Sequence, residues 1–157
     1  MSRVMVVGPS GSGKTTLLRR LGLWEGKVGK TESVVFSSRA IDTPGEYANA
    51  PRFFGALIFS SYKAKVVLFV VSAVDPRPFP PGLAGAFRGV KIGVVNKVDL
   101  LGEVVSGSSM EVARKVLLDA GVSEVHEVSA LTGQGMDGLC SRVLEILESG
   151  EEEVLGA

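Results

Sequence analysis

The chain has 157 residues, 45% apolar and 22% charged, which suits one globular domain and excludes a disordered or low-complexity polypeptide. Its 17 basic residues balance 17 acidic ones, so no global field draws it to nucleic acid or to an anionic bilayer. The apolar runs fall far short of the ~20 residues of a membrane helix, no secretory leader is recognisable, and Cys140, the single cysteine, rules out an internal disulfide and suits a reducing cytosol.

Four short β-rich runs, Arg3 to Val7, Val66 to Val71, Lys91 to Val95 and Glu124 to Val128, each precede a stretch with helical spacing. That alternation predicts an α/β fold of three layers, helix, sheet, helix, with a mostly parallel sheet. The first three runs are almost wholly apolar, as strands covered on both faces must be. Between the first and second, Val34 to Phe36 and Arg39 to Ile41 flank Ser37 and Ser38, predicting a tight hairpin with one antiparallel strand at the sheet edge. Pro51 opens a helix carrying Phe53, Phe54, Leu57, Ile58 and Phe59, too many apolar residues for one buried face; some pack on the core or edge, or some meet a partner. Trp24 and Tyr62 leave the same choice open. Ser108 and Glu111 have capping-box spacing before a helix closed by Gly121. Met136, Leu139, Val143, Ile146 and Leu147 share one helical face, and Glu151 to Ala157 reads as a frayed acidic tail after a single domain over residues 1–150. His126 takes a strand position, with no chemistry assigned.

The chemistry concentrates where strands end. Gly8-Pro9-Ser10-Gly11-Ser12-Gly13-Lys14-Thr15 matches G-x-x-x-x-G-K-[ST] between a strand and a helix, with Thr16 continuing it. Glycines let successive N–H groups turn inward beside a helix N-terminus, making a seat for phosphates. Lys14 would reach the β and γ oxygens, and the Thr15 hydroxyl is suited to Mg2+. Asp42-Thr43-Pro44-Gly45 follows an apolar run, placing Asp42 towards that cation through water and the Gly45 N–H towards a γ-phosphate.

Asn96-Lys97-Val98-Asp99 and Ser129-Ala130-Leu131 follow two further strands, at the carboxyl ends where open α/β sheets place ligands. Asp99 can accept from the ring N–H and exocyclic amine of guanine, which adenine cannot match. Asn96 would orient the base pocket, Lys97 would lie over the ring and the Ala130 N–H would meet the guanine carbonyl. The chain therefore reads as a binder of GTP or GDP with Mg2+, and such a site rejects an analogue lacking its hydrogen-bonding group by about 10⁴ to 10⁵.

These elements resemble the translation-factor-related small GTPases, with Ser129 to Gly135 similar to their fifth motif. Lys30-Thr31-x-x-Val34-x-Phe36, Ile41 to Tyr47 (IDTPGEY), Pro51-Arg52 before Ala56-Leu57-Ile58, and Asp75-Pro76 before Pro81-Gly82-Leu83 resemble the EutP/PduV family of ethanolamine and propanediol utilisation. The resemblance implies a P-loop NTPase fold and a cytoplasmic protein working beside bacterial microcompartments, with a shell or pathway protein as partner. Members of that family often carry Ser or Thr where this chain has Asn96, so the complete Asn-Lys-Val-Asp strengthens guanine recognition. The first strand begins almost at Met1, leaving no N-terminal extension as a targeting peptide.

In such switches a mobile segment supplies a threonine to magnesium and the γ-phosphate. Thr31 is the candidate by position, or it simply begins the edge strand. Glu46 stands where many GTPases keep a glutamine; a carboxylate there either orients or deprotonates water, or repels the γ-phosphate, and slow hydrolysis is expected. Three functions remain in view: a regulatory or assembly-assisting GTPase, an acetate-kinase-like phosphotransferase using the same loop, and a non-hydrolysing nucleotide-binding scaffold.

Overall fold

The computed structural model describes residues 3–24, 33–102 and 106–156. In chain order it comprises β1 (Val4–Val7), α1 (Lys14–Arg20), β2 (Val35–Phe36), β3 (Ala40–Asp42), α2 (Phe54–Ser61), β4 (Val66–Ser72), β5 (Val90–Asn96), α3 (Ser106–Ala120), β6 (Val125–Glu127) and α4 (Met136–Gly156). The six strands form one sheet in the order β2-β3-β1-β4-β5-β6, parallel throughout except for the β2–β3 pair. This is the expected sheet, with β2 as its antiparallel edge. Ser37 closes the hairpin, its N–H donating to the Ala40 carbonyl at 2.8 Å while its Oγ accepts from the Ala40 N–H at 3.0 Å.

β1 and β4 are buried along their whole length because helices cover both faces of the sheet. Alternation of side chains along each strand splits the core in two. Met5, Val7, Phe69 and Val71 pack with Leu57 of α2 and Ala113 and Leu117 of α3; Val4, Val6, Leu68 and Val70 pack with Leu17 and Leu18 of α1 and with α4. All five residues predicted for the inward face of α4 are buried in this second cluster. Trp24 is half-buried beside them.

α2 is entered through 3-10 turns at Gly45–Ala48 and Pro51–Phe53. Its surplus of apolar residues is divided: Leu57 is buried, Phe54 and Ile58 lie against the core, Phe53 stacks on Tyr47 with ring centroids 4.1 Å apart, and Phe59 is 69% exposed. His126 lies on β6, as expected, its Nε2 at 2.8 Å from the Glu124 carboxylate.

Several boundaries differ from the sequence reading: α2 begins at Phe54, after the 3-10 turn that Pro51 opens, and β6 spans only Val125–Glu127. α3 begins at Ser106, so Ser108 lies inside its first turn and is not the N-cap; the neighbouring Ser109 hydroxyl, within the same turn, donates to the Ala73 carbonyl, a tertiary contact available only to a side chain on the helix. The other end is as predicted: Gly121, at φ 106°, donates to the Leu118 carbonyl while the Val122 N–H reaches Leu117, a Schellman motif. α4 continues to Gly156, so helical backbone occupies most of the stretch expected to fray. Among the described residues no helix is long and apolar enough to cross a membrane.

Candidate functional site

The loop from Gly8 to Gly13 connects β1 to α1 and lies against β4 at Val70 and β5 at Asn96. A side chain at Gly8 would overlap the Val70 carbonyl, so the approach of β4 requires glycine there. Gly13 has φ 87°, and a Cβ on it would lie 2.5 Å from Asn96 Nδ2 and 3.6 Å from Lys97 Cε. Ser12 fixes the loop's curl, its Oγ donating to the Pro9 carbonyl at 2.8 Å.

Lys14, only 7% exposed, donates from Nζ to the carbonyls of Gly8 at 2.8 Å and Pro9 at 3.3 Å. Burial pulls its pKa from 10.5 down to about 8, with the charge of Asp42 acting in the opposite direction. Thr15 donates from Oγ1 to Asp42 Oδ2 at 2.6 Å, and both residues are buried. Asp42 is held at the end of β3, accepting from the Thr43 N–H at 2.9 Å, and Thr43 Oγ1 donates to the Val6 carbonyl at 2.8 Å.

A buried hydroxyl and a carboxylate in direct contact are hard oxygen donors that fit Mg2+. Among the described residues no cluster of three or more His, Cys, Asp or Glu could hold a metal by itself, so a cation here would need phosphate oxygens and water to complete its shell. Thr31, the third predicted ligand, lies outside the described residues. Gly45 is buried against the loop; a Cβ on it would overlap Ser10 N and Oγ. Glu46 is exposed and outside the cleft lining.

Asn96, 2% exposed at the end of β5, links three segments. Its Nδ2 donates to the Ser12 carbonyl at 2.9 Å, and its Oδ1 accepts from the Ala130 N–H at 3.0 Å. The Ala130 N–H, predicted to face a ligand, is therefore engaged by Asn96 in this structure. Lys97 follows at φ 65°, the one non-glycine residue with positive φ among those described; this turn lays its stem beside Gly13. Asp99 Oδ1 accepts from Ser129 Oγ at 2.7 Å, and Ser129 Oγ in turn accepts from the Thr132 N–H at 3.0 Å.

These segments enclose a cleft of about 620 Å³ at the carboxyl ends of the strands, lined by Ser10, Gly11, Gly13, Lys14, Thr15, Thr16, Gly45, Asn96, Lys97, Asp99, Ala130 and Leu131. Gly8, Pro9, Ser12, Asp42 and Ser129 stand behind that lining and bind it from the rear. Leu100 also lines the cleft; its 58% exposure as a large aliphatic marks it in the structure, but no periodicity singles it out in the sequence. The cleft thus joins a cationic floor to a mixed apolar and carboxylate end, suited to a ligand with phosphates at one end and a planar ring at the other.

Similarity to known proteins agrees with this architecture. The chain is 36% identical over 138 residues to the propanediol utilization protein PduV of Citrobacter freundii, covering 87% of this chain and 89% of that one. It is 36% identical over 157 residues to the probable acetate kinase EutP of Escherichia coli (strain K12), covering 96% and 94%. The bacterial selenocysteine-specific elongation factor EF-Sec superposes with a TM-score of 0.68 at 24% identity, over 93% of this chain and 28% of the larger one, which identifies the fold as that of a P-loop NTPase. With residues 1–145 matching the ethanolamine utilisation and propanediol utilisation model, PduV-EutP, the chain belongs to that family.

Proposed function

We propose that this protein binds GTP and GDP with Mg2+ in the cleft and hydrolyses GTP slowly. The observation that carries the reading is Asn96, whose one amide ties the phosphate loop at Ser12 to the base-reading loop at Ala130. On this reading that amide holds the phosphate seat and the Asp99 carboxylate in one cleft, which both line. Asp99 is held at Oδ1 by Ser129, an orientation that supports acceptance of the guanine ring N–H and amine at the remaining carboxylate edge.

When bound, Mg2+ would supply charge neutralisation across the β and γ phosphates, held by Thr15 and Asp42 and completed by Thr31 as the proposed switch ligand. Lys14 exchanges its carbonyl partners for phosphate oxygens. The Gly45 N–H is assigned to the γ-phosphate, and Glu46, the next residue, to the side from which water would attack once nucleotide is bound. A carboxylate there adds negative charge near the transferring group, which accounts for the slow rate proposed. Family membership supports a cytoplasmic role in propanediol or ethanolamine utilisation, where a microcompartment shell or pathway protein would read the nucleotide state.

Calorimetric titration with magnesium and GTP, GDP, ATP or ADP tests the assignment. Guanine nucleotides should bind in preference, and Asp99→Asn should abolish the preference; equal or tighter ATP binding by the natural protein refutes it. A second reading, phosphoryl transfer to a small carboxylate, is favoured by the name of the EutP relative, a probable acetate kinase. Acetate-dependent release of the nucleoside diphosphate with formation of acetyl phosphate would establish that reading over hydrolysis, whereas binding without turnover would leave a scaffold.

A further inference from the structure

The rim of the sheet opposite the cleft carries an unusual combination of side chains. Phe36, Phe59 and Tyr62 are 43%, 69% and 59% exposed. Each lies at or near the end of β2 or α2 that points away from the phosphate loop. Lys63 Nζ stands 5.6 Å and the Arg3 guanidinium 5.9 Å from the Phe36 ring centroid, while the Arg88 guanidinium stands 4.9 Å from that of Tyr62. Phe59 and Tyr62 adjoin, with centroids 6.2 Å apart. The contributing segments, residues 3–7, 33–40, 59–66 and 87–91, contain no Asp or Glu. These four segments are therefore cationic in a chain of zero formal net charge, and Lys65 at their centre is bonded to the Leu147 carbonyl of α4. None of the ion pairs among the described residues uses Lys63 or Arg88.

We infer that this rim is a docking surface for an acidic polypeptide segment of a partner protein, one that alternates carboxylates with apolar side chains. Carboxylates would bridge the cations, and the apolar residues would cover the exposed ring edges, removing both charge and hydrocarbon from water together. A polypeptide fits better than single-stranded nucleic acid because Phe36 and Tyr62 already hold the chain's own cations, which compete with bases for the ring faces. The surface lies across the sheet from the cleft, so it can engage a partner without obstructing the proposed nucleotide site.

The test is fluorescence anisotropy of a labelled peptide of Glu-Glu-Leu repeats titrated with the full chain. Saturable binding should weaken as salt is raised and fall about tenfold in Lys63→Glu/Arg88→Glu, the sum expected of two exposed ion pairs. Phe59→Ser should weaken binding without changing its salt dependence, which separates the apolar contribution from the charges. Both variants should keep the parent's thermal midpoint and GDP affinity. The inference is overturned by absence of saturable binding, by binding that the charge reversals leave intact, or by equal binding of a Lys-Lys-Leu peptide. Preference for oligouridine or for phosphatidylserine vesicles would also overturn it, as would self-association in sedimentation that the charge reversals abolish.

Discussion

Nucleotide binding should carry a proton into the cleft, and Lys14 determines how much. Burial lowers its pKa to about 8, so near pH 8 about half of the empty molecules hold a neutral amine. Phosphate oxygens favour the ammonium and return its pKa towards the ordinary value. Binding of magnesium GDP should then take up ~0.1 proton at pH 7, ~0.5 at pH 8 and ~0.9 at pH 9. The nucleotide contributes little, since a phosphate's last proton leaves near pH ~6. Titration calorimetry in buffers of differing ionisation enthalpy reads the proton count from the slope of observed heat against buffer enthalpy. A slope of zero across pH 7 to 9, or proton release, refutes the argument. The same group acts on folding with the opposite sign from a salt-bridged lysine. Its folded pKa lies below its unfolded one, so the burial penalty is fully present below pH 8 and is recovered as pH rises from about 8 to 10.5. That gap corresponds to about 3 kcal/mol, partly offset by the two carbonyl hydrogen bonds. Lys14→Met should therefore stabilise the empty protein by about 1 to 2 kcal/mol at pH 7, with the gain fading by pH 10, while abolishing nucleotide binding.

Further substitutions probe the site's geometry. Gly13→Ala combines φ 87° with a Cβ 2.5 Å from Asn96 Nδ2, and should cost about 2 to 4 kcal/mol in chemical denaturation while loosening the Asn96 link to Ser12. Gly133 and Gly135 both have positive φ, but a Cβ at Gly133 meets only the movable end of Arg20, whereas at Gly135 it meets the Glu127 backbone carbonyl. Gly135→Ala should therefore cost more than Gly133→Ala, by about 1 kcal/mol or more in the same assay, and Arg20→Ala should rescue only Gly133→Ala. On the proposed reading Glu46→Gln removes a negative charge beside the γ-phosphate, worth about 1 kcal/mol at ~4 Å in water, so single-turnover GTP hydrolysis should rise about fivefold. A large loss of rate would instead make the Glu46 carboxylate a catalytic base.

The fold was legible because its signals are local. Apolar runs mark β1, β4 and β5, the Ser37-Ser38 turn marks the hairpin, and the spacing from Met136 to Leu147 marks the inward face of α4. The phosphate loop was equally plain, since residues adjacent in sequence build it. What escaped depends on segments that meet only in space. Ser109 of α3 meets the Ala73 carbonyl across the fold, a contact that the capping pattern at Ser108 does not foreshadow. Leu100 joins the cleft through the turn that Lys97 imposes, and Asn96 bridges Ser12 and Ala130 across long stretches of chain. The glycine at position 8 can be read as a turn residue from sequence, but the proximity of Val70 is what makes any side chain untenable.

Several of the groups proposed to grip the nucleotide hold internal partners in this structure. Lys14 bonds the carbonyls of Gly8 and Pro9, Thr15 bonds Asp42, Ala130 N–H bonds Asn96, and Gly45 lies against Ser10. Ligand binding on the proposed reading is therefore an exchange of hydrogen bonds, so its net gain is smaller than a count of new contacts would suggest. The exchange also connects the two ends of the cleft. Drawing Ala130 N–H towards a base loosens its hold on Asn96, and Asn96 carries Ser12 of the phosphate loop. On that reading, occupation of the base pocket alters the support of the phosphate seat through a single amide. Asn96→Ser should therefore weaken guanosine and inorganic pyrophosphate as well as GDP, whereas Asp99→Asn should leave pyrophosphate binding unchanged; equal pyrophosphate affinity in both variants would sever the proposed connection.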